Sequence, residues 1–249
     1  MPARAALSAR SRRVAPTTEI RLASRYENDV NFTPEPMTLR LFLLRHGQTA
    51  MSRANVFCGR GLDPVLTDEG LVMADAFAAA YADDQWTAIY SSPLARALAT
   101  AAPLAATRNL TVERRDELAE IDYGAWDGLT AEVVAQQWHD EHERWSADPA
   151  WNPPTGGETA IALSQRMTNV IEEITSAHMD GNVLVVSHKA SIRVLLCALL
   201  GVDVGRFRYR FGCPVGSVSI IEFGSHGPLA TAVADRSHLD ARLRHLEGT

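Results

Sequence analysis

The chain has 249 residues with 24 Lys plus Arg against 30 Asp plus Glu, which gives a formal net charge of −6. This length suits one large domain or two small ones, and a hydrophobic content of 46% is ordinary for a packed core. The acidic balance argues against a nucleic-acid partner, since phosphate backbones are bound mainly by clustered Lys and Arg. No apolar run reaches the roughly 18 residues that a membrane-spanning helix needs, so we expect no membrane partner.

The cysteine content indicates a reducing compartment. Cys58, Cys197 and Cys213 are odd in number and lie far apart, so we expect neither a disulfide framework nor a CxxC metal site. We therefore expect a cytoplasmic location.

Residues 1–36 differ in pattern from the rest of the chain. Arg4, Arg10, Arg12 and Arg13 precede any acidic residue, and no hydrophobic periodicity is visible. Such a stretch buries too little apolar surface to offset the entropy of ordering it, so we expect a disordered extension. No apolar segment of a secretory signal is present, and an organelle transit peptide is the alternative for an Arg-rich, acid-poor start. Residues 37–249 are then expected to form one domain.

Strands and helices alternate from residue 38 onward, which predicts an α/β domain. We expect three layers, with a central, mostly parallel sheet flanked by helices and a small helical cap insertion at about 127–158. The predicted strands are 38–45, 86–90, 182–187, 217–223 and 229–234. The predicted helices begin at Thr67, at Ser92 as a capping serine, and over 130–145, 159–177 and 190–200.

Basic and imidazole side chains follow the predicted strands where each strand ends. Arg45 and His46 follow the first strand, Arg96 lies in the helix after the second, and His188 follows the third. The carboxyl ends of parallel strands meet at one edge of a sheet, so we expect these four side chains to share a crevice. Arginine forks bind phosphate oxygens, and a neutral imidazole can attack phosphorus. The set predicts a phosphate pocket with a nucleophile, and Gly47 is expected to let the backbone approach the anion.

Five motifs strengthen this interpretation. They are LRHGQT at 44–49, SSPLAR at 91–96, LAEIDYGAWDG at 118–128, PTGGET at 154–159, and VVSH at 185–188 with Arg193 five residues on. In this order and spacing they resemble the histidine phosphatase superfamily, in its phosphoglycerate-mutase-like phosphatase branch. The resemblance spans residues 38–235 and implies a phosphomonoester hydrolase without cofactor or metal. Its expected partner is a small phosphorylated metabolite, such as a sugar phosphate.

The resemblance also implies roles for single residues. His46 matches the nucleophile that becomes phosphohistidine, while Arg45, Arg96 and His188 match the rest of the phosphate cradle. Glu120 matches the carboxylate that protonates the leaving oxygen and then acts as base toward water. The substrate-binding set is completed by Gly47, Ser52, Cys58 and Gly59.

Several positions leave a choice open. Lys189 stands where the family often has glycine, and we expect its side chain to point away from the pocket. Ser52 stands where many members have asparagine. Asp122 competes with Glu120 as the proton donor, and Glu158 caps a helix or lies at the rim of the site. The pair His139 and His142 lies on a polar helix and is expected to be a solvated face rather than a metal site.

Two other functions compete with hydrolysis. A phosphoglycerate mutase usually carries E-R-H-Y-G at the acid, whereas this chain has E-I-D-Y-G at 120–124. A phospho-ligand-binding pseudoenzyme would lack one of the catalytic groups, and none is missing. A homodimer is compatible with the sequence, which does not fix the oligomeric state.

The cap predicts the charge of the substrate. Between 127 and 158 the only arginine is Arg144 and lysine is absent, against seven acids. This composition predicts a preference for monophosphates over bisphosphates, because a second phosphate needs its own fixed cations. Four aromatic side chains suit the apolar face of a substrate: Tyr123, Trp138, Trp145 and Trp151. The alternative for the three tryptophans is that they pack the insertion.

Overall fold

A computed structural model describes residues 38–246 and 248, and the prediction for residues 1–36 lies outside them. One six-stranded sheet forms the centre, in the order β3-β2-β4-β1-β5-β6. The strands are β1 (Leu39–Arg45), β2 (Trp86–Ser91), β3 (Val112–Arg114), β4 (Gly181–Ser187), β5 (Val218–Gly224) and β6 (Gly227–Asp235). Strands β3, β2, β4 and β1 pair in parallel, and β5 is antiparallel to both of its neighbours. The mostly parallel sheet is therefore confirmed.

The helices are α1 (Ala50–Arg53), α2 (Asp68–Ala80), α3 (Ala95–Arg108), α4 (Ala131–Gln137), α5 (His139–Ala147), α6 (Ala160–Ala177), α7 (Lys189–Leu199), α8 (Phe207–Arg210) and α9 (Ala241–Arg244). Alternate residues of β1 face opposite sides of the sheet. Leu41 and Leu43 pack in a core with α6 and α7, whereas Phe42 and Leu44 pack in a second core with α2 and α3. Two apolar cores on one sheet confirm the predicted three-layer sandwich.

The N-termini of the helices agree only in part with those predicted from the sequence. Thr67 and Thr159 cap α2 and α6 through their hydroxyls, as their position before each helix predicts. The predicted cap at Ser92 is wrong, because α3 begins at Ala95 and its N-cap, Leu94, makes no side-chain cap bond. Backbone rotation at Trp138 divides the predicted helix 130–145 into α4 and α5.

The cap insertion is held by an aromatic cluster. Trp126, Val134 and Trp145 are buried together, with Phe57 and Tyr123 packed against them. The Phe57 ring meets the Trp126 and Trp145 rings at centroid distances of 5.4 and 5.5 Å. This packing fixes α4 and α5 beside the ends of the strands. In the part of the chain that the structure describes, no helix is long and apolar enough to cross a bilayer.

Candidate active site

A cavity of about 570 Å³ brings together residues from the strand ends and the cap. The predicted residues among its lining are Arg45, His46, Ser52, Cys58, Arg96 and Glu120. His188 is fully buried directly beside this cavity, with its ring centroid 5.1 Å from that of His46. The predicted convergence of the two arginines and two histidines is therefore present in the structure.

His46 has the geometry of a nucleophile. It follows β1, and its Nδ1 lies 2.8 Å from the carbonyl oxygen of Gly47. A carbonyl can only accept, so Nδ1 carries the proton and Nε2 keeps its lone pair. Burial lowers the pKa of His46 well below its usual value, and the charges of Arg45 and Arg96 lower it further. The ring is therefore neutral at neutral pH, which is the form that attacks phosphorus.

His188 is oriented by Ser92, at the end of β2. The His188 Nε2 lies 2.8 Å from Ser92 Oγ, and Ser92 Oγ also accepts from the Leu94 N–H at 3.3 Å. When the Ser92 hydroxyl donates its proton to Nε2, His188 Nδ1 carries the ring proton and is a donor. Burial and the charge of Arg96 lower the pKa of His188 well below its usual value. Ser92 thus orients His188 rather than capping α3.

Arg45 and Arg96 are buried and held by backbone carbonyls. Arg45 Nη1 donates to Cys213 at 2.6 Å and to Gly248 at 3.0 Å. Arg96 Nη1 donates to Leu62 at 2.7 Å, and its Nη2 donates to the Gly59 carbonyl at 3.3 Å. In both arginines Nε is buried and has no partner among the described residues, and the same holds for His188 Nδ1. Three buried donors beside His46 are thus left for an anion.

Glu120 lies at the N-terminus of α7. Its Oε1 accepts from the Ser191 N–H at 3.1 Å and the Ser191 hydroxyl at 3.0 Å, and its Oε2 accepts from the Ala190 N–H at 3.1 Å. The orphan N–H groups of a helix start suit a carboxylate. The competing Asp122 instead accepts from Gly124 in a turn and lies outside the cavity lining.

Arg166 of α6 is a site residue that the sequence analysis missed. Its guanidinium donates to the carbonyls of Glu117, Ala119 and Glu120. It also forms a two-point ion pair with Glu158, with both bonds at 2.8 Å. Glu158 is therefore neither a helix cap nor a rim residue; it holds the arginine that fixes the backbone of the acid. No sequence motif marks this partly buried ion pair between residues 8 positions apart.

The predicted roles of the two glycines are corrected. The Gly47 N–H donates to Thr100 Oγ1 at 3.0 Å, and a Cβ at Gly47 would lie 2.4 Å from the Gly70 oxygen. Gly47 is needed for packing against α2, not for approach of the backbone to an anion. Gly59 lies outside the cavity lining and contributes its carbonyl to Arg96.

Ser52 and Cys58 line the cavity, and neither presents a charge to it. The Ser52 hydroxyl forms a capping box with Thr49 at the start of α1. Burial raises the pKa of the Cys58 thiol to about 11, so it stays protonated at neutral pH. Neither side chain is a charged contact for phosphate.

The prediction about the charge of the substrate was based on the cap, but the additional cations at the cavity come from other segments. Lys189 was expected to point away, yet it lines the cavity together with Arg193, Arg208 and Arg236. All four lie outside the cap, so the acid content of the cap does not describe the field at the substrate. Of the four predicted aromatic contacts, Tyr123 and Trp145 line the cavity, whereas Trp138 does not and Trp151 is 69% exposed.

A metal centre finds no support in the described residues. No group of three or more His, Cys, Asp or Glu side chains in them is arranged to hold an ion. His142 packs against the rings of Trp126 and Trp145 instead of pairing with His139.

Comparisons with known proteins match this geometry. A family model described as the histidine phosphatase superfamily (branch 1) matches residues 41–236. The chain is 35% identical over 183 residues to phosphoserine phosphatase 1 of Hydrogenobacter thermophilus, covering 74% of this chain and 86% of that protein. It is 32% identical over 194 residues to a glucosyl-3-phosphoglycerate phosphatase of Mycolicibacterium vanbaalenii, covering 75% of this chain and 84% of that protein. The solved structure of Bacillus stearothermophilus YhfR is similar with a TM-score of 0.76 and 26% identity, over 81% of this chain and 100% of that one.

Proposed function

Because the chain belongs to the histidine phosphatase superfamily, we propose that it hydrolyses the phosphomonoester of a small metabolite through a phosphohistidine at His46. One observation carries this proposal. A neutral His46 with a free Nε2 lies beside three buried donors that have no partner among the described residues, on Arg45, Arg96 and His188. This is the arrangement that a transferring phosphoryl group requires.

The first step transfers the phosphoryl group to the enzyme. His46 Nε2 forms a bond to phosphorus while the bond from phosphorus to the ester oxygen breaks. The two guanidinium groups and the His188 donor stabilise the charge on the equatorial oxygens. Glu120 enters this step carrying the proton that the leaving oxygen takes, and the carboxylate left behind is the form that accepts from Ala190 and Ser191.

The second step returns the enzyme to its starting state. Water attacks phosphorus, Glu120 takes a proton from that water, and the bond from phosphorus to Nε2 breaks. Inorganic phosphate leaves, and His46 is again neutral with its proton on Nδ1. The fixed positive charge of two arginines serves the role that a metal ion has in other phosphatases, so no metal is required.

The setting of the enzyme forms part of the same proposal. We place it in the cytoplasm, since Cys58, Cys197 and Cys213 are all free thiols. A net charge of −6 argues against a nucleic-acid partner. A homodimer stays a prediction, which light scattering on the purified chain tests.

Phosphate release from p-nitrophenyl phosphate tests the proposal. We expect turnover that survives EDTA, and acid-labile phosphate on the chain after a rapid quench. His46→Ala should lose both, whereas Glu120→Gln should accumulate phosphoenzyme, because this leaving group needs no proton but the attacking water needs a base. Glu117→Gln, an exposed neighbour, is the matched control. Full turnover by His46→Ala, or loss of activity in EDTA that one metal restores, would contradict the mechanism.

A further inference from the structure

The cavity carries more positive charge than one phosphoryl group uses. Glu120 is the only acid among its described lining residues, against six cations: Arg45, Arg96, Lys189, Arg193, Arg208 and Arg236. A phosphoryl group carries about two negative charges, and Arg45 and Arg96 lie beside His46 to meet them. Arg96 is also 3.4 Å from the carboxylate of Asp63, which lies outside the lining, so the four remaining cations are the ones without an acidic partner among the lining residues. In a chain with a net charge of −6, cations unpaired at one cavity indicate a ligand with additional negative charge.

Lys189 is a free cation at this cavity. It follows His188 directly, at the first position of α7. Its Nζ forms no hydrogen bond or ion pair with any residue that the structure describes. Burial, with Arg45 and Arg193 nearby, lowers the pKa of Lys189 to about 8, so the ammonium is still charged at neutral pH. An ammonium held without a partner beside the catalytic histidine is available to a ligand anion.

Arg208 is a second available cation, and it is held in place by its neighbours. Its guanidinium stacks 3.9 Å from the ring centre of Trp145, and its only hydrogen bond to a described residue is a long one of 3.4 Å to Ser146 Oγ. Arg193 donates to the carbonyls of Arg208 and Phe211, which ties α8 to α7. Arg193 therefore positions α8, and the Arg208 guanidinium keeps free donors at the cavity wall.

We propose that Lys189 and Arg208 form a second anion subsite, which binds a carboxylate or phosphate on the carbon skeleton of the phosphomonoester. This inference rests on the proposed function and narrows its substrate to small metabolites with two anionic groups. The phosphoryl group lies at His46, and the second anion lies between the start of α7 and α8. The buried ring of Trp145 holds the Arg208 guanidinium in place from behind.

Matched substrates test the subsite. In glycerol 3-phosphate and 3-phosphoglycerate, and in phosphoethanolamine and phosphoserine, the second member of each pair adds a carboxylate. Fructose 6-phosphate and fructose 1,6-bisphosphate test a phosphate in its place. We expect kcat/KM to be at least about tenfold higher for the member with the second anion, which is the size of one charge-assisted contact. The substrate pair with the larger ratio of kcat/KM values shows whether the second anion is a carboxylate or a phosphate.

Variants assign the effect to the two residues. Lys189→Met and Arg208→Met should each reduce the ratio within a pair about fivefold or more, mainly through KM, and Lys189→Arg should restore part of it. Arg210→Met is the matched control, since Arg210 lies on α8 but is exposed and outside the cavity lining, and it should keep the ratio. A variant that does not fold is replaced by Lys189→Gln or Arg208→Gln.

Two results would overturn the inference while leaving hydrolysis intact. One is equal kcat/KM within every pair by an enzyme that turns over p-nitrophenyl phosphate. The other is an equal loss for both members of a pair in Lys189→Met and Arg208→Met, which would indicate general attraction of phosphate. If the folded chain hydrolyses nothing, the proposed function fails instead. In that case, calorimetry of the binding of 3-phosphoglycerate and of glycerol 3-phosphate to His46→Ala tests the second anion subsite independently of hydrolysis.

Discussion

At the residue scale, the reactivity of His46 depends on two features that act in the same direction. The Gly47 carbonyl holds the proton on Nδ1, and burial beside two arginines disfavours a second proton on the ring. A histidine with an ordinary pKa would be partly protonated near pH 6.5 and would lose its nucleophilic lone pair. The two arginines that we propose as phosphate ligands therefore also keep the proposed nucleophile neutral.

This arrangement predicts the protonation state of one ring. We expect His46 to remain the neutral Nδ1–H tautomer from pH 8 down to pH 6, since its pKa is lowered well below the usual value. Long-range ¹H–¹⁵N correlation spectra of the labelled chain measure this, and the signals lost in His46→Gln assign the ring. The chain unfolded in urea is the reference, where histidines titrate near 6.5. An imidazolium signal from His46 at pH 6.5 would show that the ring is not held neutral.

At the scale of elements, α6 supports the acid from the side opposite to α7. Arg166 satisfies three carbonyls of the segment that leads into Glu120, and Glu158 neutralises it. Helix α7 binds the carboxylate of Glu120 directly. The position of the acid is thus set by two helices that meet in one core.

Removal of the Arg166 guanidinium should therefore affect both stability and rate. In Arg166→Met we expect a loss of about 2–4 kcal/mol in the free energy of unfolding, because three carbonyls and the Glu158 carboxylate lose their partner. In the folded variant kcat should fall at least about tenfold with little change in KM. Arg115→Met is the control, because the exposed pair of Arg115 with Glu173 should cost no more than about 1 kcal/mol. A normal kcat in Arg166→Met would exclude a positioning role.

The contact between the end of β1 and α2 leads to a second prediction at this scale. A Cβ at Gly70 would lie 2.2 Å from the Gln48 oxygen, two residues after His46. Alanine gains about 1 kcal/mol in helix propensity, but here the clash exceeds that gain. We expect Gly70→Ala to lose about 2 kcal/mol of stability in urea titrations and to lower kcat. Gly224→Ala, with nothing within 4 Å of its Cβ, should stay within about 0.5 kcal/mol, and equal stability of the two variants would contradict the clash.

The sequence predicted the site residues that follow the ends of parallel strands. It did not predict the site residues whose positions depend on contacts between helices. Arg45, His46 and His188 could be placed because parallel strands end at one edge of the sheet. The direction of the Lys189 side chain could not be predicted from the spacing of residues in the sequence, because it depends on how α7 begins after His188. Arg208 reaches the cavity through contacts among α7, α8 and the cap that no local pattern encodes. The three-residue strand β3 is too short and too charged to give a strand pattern.

At the scale of the whole molecule, two histidines of the candidate active site and one outside it reduce the stability of the fold in acid. Burial lowers the pKa of His46, His188 and the half-buried His238, whereas in the unfolded chain each titrates near 6.5. Below pH 6.5 the unfolded chain binds more protons than the folded chain, so stability is lost as pH falls. At pH 5.5 each such histidine costs up to about 1.4 kcal/mol relative to pH 7.5.

Urea unfolding at pH 7.5 and pH 5.5 measures this cost. We expect a lower free energy of unfolding at pH 5.5, and a smaller difference in His238→Phe, since phenylalanine fits beside Phe77 and Tyr81 and does not titrate. Equal stability at the two pH values would mean that these rings are protonated in the folded chain.

The strand order also constrains how the protein is made. Strand β1 has no contact with β2 in the sheet; it pairs with β4 and β5, so that Leu41 faces Val183 on one side and Ile221 on the other. A ribosome delivers β1 early and both of its partners late. Until they emerge, the apolar run Leu41–Leu44 has no strand to pair with, and the nucleophile at its end has no pocket. We therefore expect the centre around His46 to fold only after β4 and β5 have both been synthesised.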